Sequence, residues 1–301
     1  MTTVAGQPER TPQAAPPAQE DPSLSPPVPR SGPSVGAAIA PFSVLWTHRA
    51  VIARMARRDI TARYRNSVLG WAWAVFTPLI MLGVYTFVFA VVLKARWGED
   101  TGTSTFAARL FLGLILFQLF GAMMTQTPGL MRQNANLIKK VVFPVETLVP
   151  VRLATALFDF GMGFLVFLAI GWLLTPDLGW GVLLVPIAAI PVALLGLGVG
   201  WLLAGLGAYL SDLGPVAATL TTVVLFLSAV FYPIEIVPDR WVWMVRLNPV
   251  AGSIDTARGL AFGPLTFDAV RFGVLIAVGW IASCLGLGVF RRVRWGFADV
   301  L

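Results

Sequence analysis

The chain has 301 residues, 57% hydrophobic and 12% charged, with a mean hydropathy of +0.78. Soluble domains carry about 25% charged residues, so this composition excludes an ordinary soluble domain and indicates an integral membrane protein. The net charge of +7 does not mark a nucleic-acid binder, because the Lys and Arg residues cluster beside apolar runs, where topology signals lie.

Residues 1–41 are rich in Pro, Ala, Ser and Gln, as in Pro26-Pro27-Val28-Pro29. Their apolar content cannot offset the entropy of ordering, so they are expected to form a disordered cytoplasmic tail. They lack the basic start and apolar stretch of a cleavable signal peptide. From residue 42 to 70, Leu45, Ile52, Met55, Ile60 and Tyr64 recur at roughly helical intervals, with Arg49, Arg54, Arg57, Arg58 and Arg65 between them. This pattern predicts an amphipathic interfacial helix with its guanidinium groups toward phosphate headgroups or a protein. The alternative is a simple positive-inside anchor.

A bilayer core of about 30 Å needs roughly 20 apolar residues in a helix. Six stretches in residues 71–301 meet or approach this: 71–93, 107–127, 148–174, 182–210, 214–231 and 272–290. The expected fold is an all-α integral membrane protein with six transmembrane helices. With both termini inside, and counting only the residues near the spans, twelve Lys and Arg fall on the cytoplasmic side, from the six arginines at 49–65 to Arg291, Arg292 and Arg294, and seven outside. Both termini are therefore assigned to the cytoplasm. Gly196, Gly200, Ala204 and Ala208 recur along the fourth span, and Gly279, Ala282, Ser283 and Gly286 along the sixth. Small residues at these spacings let neighbouring backbones approach closely.

Catalytic and coupling chemistry is sparse. No His, Cys, Asp and Glu cluster has metal-ligand spacing, and the only histidine, His48, precedes the first span. No Gly-x-x-x-x-Gly-Lys-Ser/Thr sequence occurs, so this chain has no P-loop. Cys284 is the only cysteine, which excludes an intrachain disulfide. Asp159 is the one deep acid, with Arg152 seven residues before it on the same helix face, about 10 Å away. One acid is a thin proton relay, so the pair reads as structural and the energy source as lying on another chain.

Arg58-Asp59-Ile60, Arg63-Tyr64-Arg65, Ser67-Val68-Leu69-Gly70 and Trp71-Ala72-Trp73 precede Pro78. They are followed by Asn134-Ala135-Asn136-Leu137-Ile138-Lys139-Lys140-Val141-Val142-Phe143-Pro144, then Ser228-Ala229-Val230-Phe231-Tyr232-Pro233, Leu247-Asn248-Pro249-Val250 and the ending Phe297-Ala298-Asp299-Val300. In this order, from about residue 42 to 301, the chain resembles the ABC type-2 permeases that export polysaccharides and polyol phosphates (O-antigen, teichoic acid, capsule). It departs from them where Tyr209-Leu210-Ser211-Asp212 has Ser211 in place of the family's frequent arginine, while Asp212 matches.

The resemblance implies the permease subunit of an ATP-driven exporter in a bacterial-type cytoplasmic (inner) membrane, moving a lipid-linked polysaccharide or teichoic-acid-like polymer. It implies partnership with a second copy of the chain and with two ATP-binding cassette subunits, which would hold the ATP and Mg; no cofactor and no nucleic acid is expected on this chain. The implied ATPase-coupling residues are Arg57, Arg58, Asp59, Arg63, Tyr64, Asn134, Leu137, Ile138, Lys139, Lys140, Phe143 and Asp212. Leu137, Ile138 and Phe143 are expected to insert into an apolar cleft of the ATPase, with Lys139 and Lys140 at its rim. Because sugar C–H faces stack on rings, Trp73, Tyr85, Phe89, Phe117, Phe231 and Tyr232 are candidates for the substrate path. A permease for drugs or small lipids is the alternative within the class. A membrane-embedded glycan or lipid enzyme is the alternative outside it, with Glu235, Asp239, Asp255 and Asp268 as its available acids.

Overall fold

Backbone polar groups in hydrocarbon must be satisfied within their own segment, which leaves a long apolar run little choice but helix. The computed structural model describes residues 35–65, 69–94, 102–140, 143–175, 178–263 and 268–297, and among these it contains helices and turns but no strand. In chain order they are α1 (Val35–Thr47), α2 (Arg49–Arg65), α3 (Trp73–Tyr85), α4 (Thr103–Gln126), α5 (Leu130–Gln133), α6 (Ala135–Lys140), α7 (Leu148–Leu174), α8 (Val185–Gly207), α9 (Leu213–Leu227), α10 (Asp239–Arg246), α11 (Pro249–Phe262) and α12 (Ala269–Val293). Beyond Tyr85, α3 continues as a π-helix over Thr86–Val92.

Among the described residues, five stretches are long and apolar enough to cross a membrane: Gly70–Phe89, Thr103–Gln126, Val145–Leu173, Trp180–Gly207 and Ala269–Gly296. They coincide with five of the six expected spans. The stretch expected at 214–231 yields only α9, 15 residues of helix ending at Leu227. The helix stops there because the next carbonyls are already claimed: Asn248 Nδ2 donates to Leu227 O at 3.2 Å, and Arg258 donates to Ala229 O and Val230 O, each at 2.7 Å. Ala229 lies in the left-handed region (φ 50°), which turns the chain sharply.

The expected tail boundary also shifts. Residues 35–41 are helical, and Ala40 and Val44 of α1 are buried in the main core. The stretch expected as one interfacial helix over 42–70 is two helices divided at His48, with α1 packed against α12 and α2 against α7. Residues 1–34 lie outside the described residues.

Most of α4 is buried at the centre of the bundle, while α3 leaves most of its apolar surface uncovered. The most extensive seam joins α8 to α12. Gly286 sits against the backbone of Gly198, Gly198 against that of Ala282, and Ser283 Oγ donates to Leu194 O at 2.7 Å. The small residues expected on α12 therefore do face α8. On α8, however, Gly196 and Gly200 face Met123 of α4, and the contact with α12 falls to Gly198 and Gly205. A helix buried on two sides needs a small-residue stripe for each neighbour.

A side chain at Gly198 has no room, whereas Gly288 on α12 has open space. Gly198→Ala is expected to destabilise the protein by about 1–3 kcal/mol, while Gly288→Ala leaves stability unchanged or slightly higher. Thermal unfolding midpoints of the purified variants in detergent check this.

Candidate functional site

At one end of the bundle, α2 is held on α7 by a small apolar contact and two ion pairs. Ile52 and Ala56 bury against Val151. Arg63 Nη1 donates to both carboxylate oxygens of Asp159 at 2.8 Å, and Asp59 lies 3.9 Å from Arg152. Arg152 and Asp159, which share a face of α7, thus find their partners on α2; seven helical residues set them about 10 Å apart, too far to pair with each other. Burial works against the Arg63 charge, but its hydrogen bond to Asp159 and that carboxylate's field more than offset this, so its pKa is raised. Tyr64 is buried and stacks on Trp71 at 5.1 Å, and Trp71 meets Phe158 edge-on at 5.9 Å. Arg58 donates to its neighbour Asp59 at 3.0 Å, and Arg57 is exposed. Arg54, Arg57, Arg58 and Arg65 all remain on the outer surface of α2.

The segment from α5 to α7 forms the neighbouring part of this end. Asn134 Nδ2 donates to Leu130 O at 2.9 Å in the turn between α5 and α6. Leu137, Ile138 and Phe143 are half-buried against the chain's own core, so each offers a partner only part of its surface. Lys139 and Lys140 close α6, and their side chains lie outside the described ones, as do Val141 and Val142.

After Pro144 comes Glu146, the residue on which this end converges. Its side chain is only 11% exposed and lies 3.0 Å from Arg294 and 3.8 Å from Arg291, at the far end of α12. Its backbone oxygen accepts from Trp201 Nε1 of α8 at 3.0 Å. Close by in the fold, Tyr209 Oη donates to Val293 O at 2.6 Å and Arg132 to Ala208 O at 3.4 Å. Asp212 is exposed beside Ser211 at the start of α9 and makes no capping hydrogen bond. Sequence reasoning counted Arg291 and Arg294 only as topology marks and passed over Glu146. The signal was an acid two residues after Pro144 at the start of an apolar run, since a buried carboxylate requires a cation.

At the opposite end, aromatic residues of α3 and of the turn after α9 gather. Phe89 stacks on Phe231 at 4.8 Å, Tyr85 lies 5.8 Å and Phe226 5.5 Å from the same ring, and Tyr232 Oη donates to Phe226 O at 2.7 Å. Four of the six ring candidates thus assemble. Trp73 lies exposed at the other end of α3, and Phe117 is buried within α4 beside Phe120, so neither joins them. Arg258, buried on α11, fixes the turn through its bonds to Ala229 O and Val230 O, and reaches Arg109 O at 3.1 Å. Burial, with Arg109 nearby, pulls its pKa down to about 9, against the opposing fields of Asp255 and Glu235, and leaves it cationic at neutral pH.

The two acids differ in accessibility, Glu146 being 11% exposed and Asp59 22%. Glu146→Ala removes the shared partner of two arginines from a nearly enclosed site and is expected to cost about 2 kcal/mol. Asp59→Ala breaks a single long pair to Arg152, at 3.9 Å, and an exposed contact to Arg58, and is expected to cost less than about 1 kcal/mol. Thermal midpoints measured at low and high salt check the order, with the Asp59 effect the more salt-sensitive.

Residues 51–262 match the family model described as ABC-2 type transporter. The chain is similar to an O-antigen export system permease protein, RfbA, of Klebsiella pneumoniae, with 27% identity over 252 residues covering 81% of this chain and 92% of that protein. It is similar to the polysialic acid transport protein KpsM of Escherichia coli, with 22% identity over 249 residues covering 78% and 90%. It is also similar to the capsule polysaccharide export inner-membrane protein CtrC of Neisseria meningitidis serogroup B, with 23% identity over 256 residues covering 84% and 94%.

Proposed function

The chain belongs to the ABC-2 type transporter family, and from that premise we propose that it is the permease subunit of an ATP-driven exporter that moves a lipid-linked polysaccharide or related polymer across the cytoplasmic membrane. The observation that carries this reading is the similarity, over nearly their whole length, to permeases named for O-antigen and capsule polysaccharide export. In this reading α9 is the sixth crossing, α1 and α2 lie at the cytoplasmic interface, and both termini are cytoplasmic. Tyr64, Trp71 and Phe158 suit the inner headgroup level, and Trp172 and Trp180, 5.6 Å apart, suit the outer one.

Two copies of the chain enclose the path, and two separate cassette subunits carry ATP and Mg. The basic surface of α2 and the segment from Asn134 to Phe143 receive the ATPase, and Asp212 lies at the same end. The ion pairs from α2 to α7 and from Glu146 to α12 support this assignment, because a push on α2 is passed to α7, and one on the segment leading into Glu146 is passed to α12. The rings around Phe231 form the outer part of the path, where sugar faces stack.

Reconstitution tests the reading. Vesicles containing this chain and a cassette ATPase are expected to transfer a lipid-linked glycan only when ATP and Mg are supplied. Transfer of a small amphiphile, with no glycan moved, overturns it in favour of drug or lipid export.

Docking is tested by charge reversal on the exposed side of α2. Arg54→Glu with Arg57→Glu is expected to lower ATPase co-purification about tenfold or more without changing the thermal midpoint. Leu137→Asp with Ile138→Asp is expected to abolish co-purification, and to lower the midpoint as well, because both residues also pack on the chain's own core.

A further inference from the structure

Beside the turn after α9 lies a cavity of about 440 Å³, walled by the start of α4, the segment after Tyr232 and α11. Its lining includes Arg109, Glu235, Asp255 and Arg258, together with Phe262 and Ile236. Its volume falls within the range of small-molecule sites. The aromatic group around Phe231 belongs to the same end of the bundle, since Arg258 grips the carbonyls of Ala229 and Val230.

Three of the four charged groups are set in place by the chain itself. Arg258 is fixed by its three carbonyl partners, Asp255 accepts from Arg271 Nη1 at 2.6 Å, and the Arg109 guanidinium lies 5.3 Å from the centre of the Phe262 ring. Such preorganisation lowers the entropic cost of binding.

The mixture of charges narrows the ligand class. An acyl chain would strip water from Arg109, Glu235 and Asp255 without replacing their hydrogen bonds. A compact polyanion would meet two carboxylates, and a divalent cation two guanidiniums. A polyhydroxylated ligand suits both signs, because each hydroxyl can donate to a carboxylate and accept from a guanidinium. Apolar lining beside these groups accommodates sugar C–H faces.

We propose that this cavity is a saccharide-binding site on the exit side of the path, with Asp255 and Glu235 accepting from glycan hydroxyls and Arg109 donating to glycan oxygens. This inference rests on the export reading above and adds to it a contact that the moving polymer makes beyond the aromatic group around Phe231.

The test is photocrosslinking in cells that make the polymer and carry the full transporter. Ile236, at the cavity and 67% exposed, is replaced by p-benzoyl-L-phenylalanine; Leu285, 66% exposed and further along α12, outside the cavity lining, is replaced in a control. Carbohydrate-bearing adducts, identified by mass spectrometry, are expected at 236 at about tenfold the level at 285, and Asp255→Asn should reduce them. Phospholipid adducts alone, or equal carbohydrate at both positions, overturn the proposal. Glu235→Gln gives an independent measure, with export slowed about tenfold at an unchanged thermal midpoint, which is the scale of one charge-assisted hydrogen bond; unchanged export also overturns it. A strain lacking the permease separates the two readings. Continued surface display of polymer there defeats the export reading itself, whereas polymer retained inside that strain, combined with no adduct at 236 in cells that carry the transporter, defeats only the cavity.

Discussion

Glu146 sits where four parts of the chain meet, and its carboxylate can be kept there only because two arginines from the opposite end of the sequence reach it. A carboxylate in so enclosed a place, deprived of those cations, would be costly. Its position closes a loop through the fold: the segment after α6 leads into it, α7 leaves from it, α12 ends on it, and Trp201 of α8 binds its backbone. The long Gly198–Gly286 seam then runs along α8 and α12 away from that point. Charge thus fastens Glu146 to the end of α12 across 148 residues of sequence, and close backbone contact fastens α12 to α8 along their length.

The ion pairs between α2 and α7 extend the same arrangement. They are partly open to solvent, so their individual contributions are modest. Their value lies in direction. Asp59 and Arg63, one helical turn apart, engage Arg152 and Asp159, which stand two turns apart on α7. Such a pairing fixes the register and crossing of the two helices more strongly than the three-residue apolar contact beneath it could.

Much of this was legible beforehand, and the misses share a cause. Composition and hydropathy located five crossings because a long apolar run has few alternatives to helix. The end of α9 was misjudged by four residues because its stop is imposed by Asn248 and Arg258, twenty to thirty positions away, and not by Gly or Pro at the site. The glycine stripe of α8 was visible as a pattern, but a pattern does not say which neighbour it faces. Arg152 and Asp159 were read as a pair because sequence places them on one face; their actual partners depend on how α2 lies. Leu137, Ile138 and Phe143 looked like knobs for a partner, and the fold uses much of their surface itself. Among the rings, Tyr85, Phe89, Phe231 and Tyr232 come together in space while Trp73 and Phe117 lie apart from them, a grouping that sequence alone does not contain.

The brevity of α9 bears on the lipid around it. At 1.5 Å per residue its 15 residues extend about 22 Å, against a hydrocarbon thickness of about 30 Å. In the proposed reading, where α9 is the sixth crossing, a membrane meeting this helix adjusts to the hydrophobic mismatch by thinning locally, at a cost of fractions of a kcal/mol per ångström. Acyl chains beside α9 are then compressed and the two headgroup layers drawn toward each other, which shortens the hydrocarbon that a polar headgroup has to cross there.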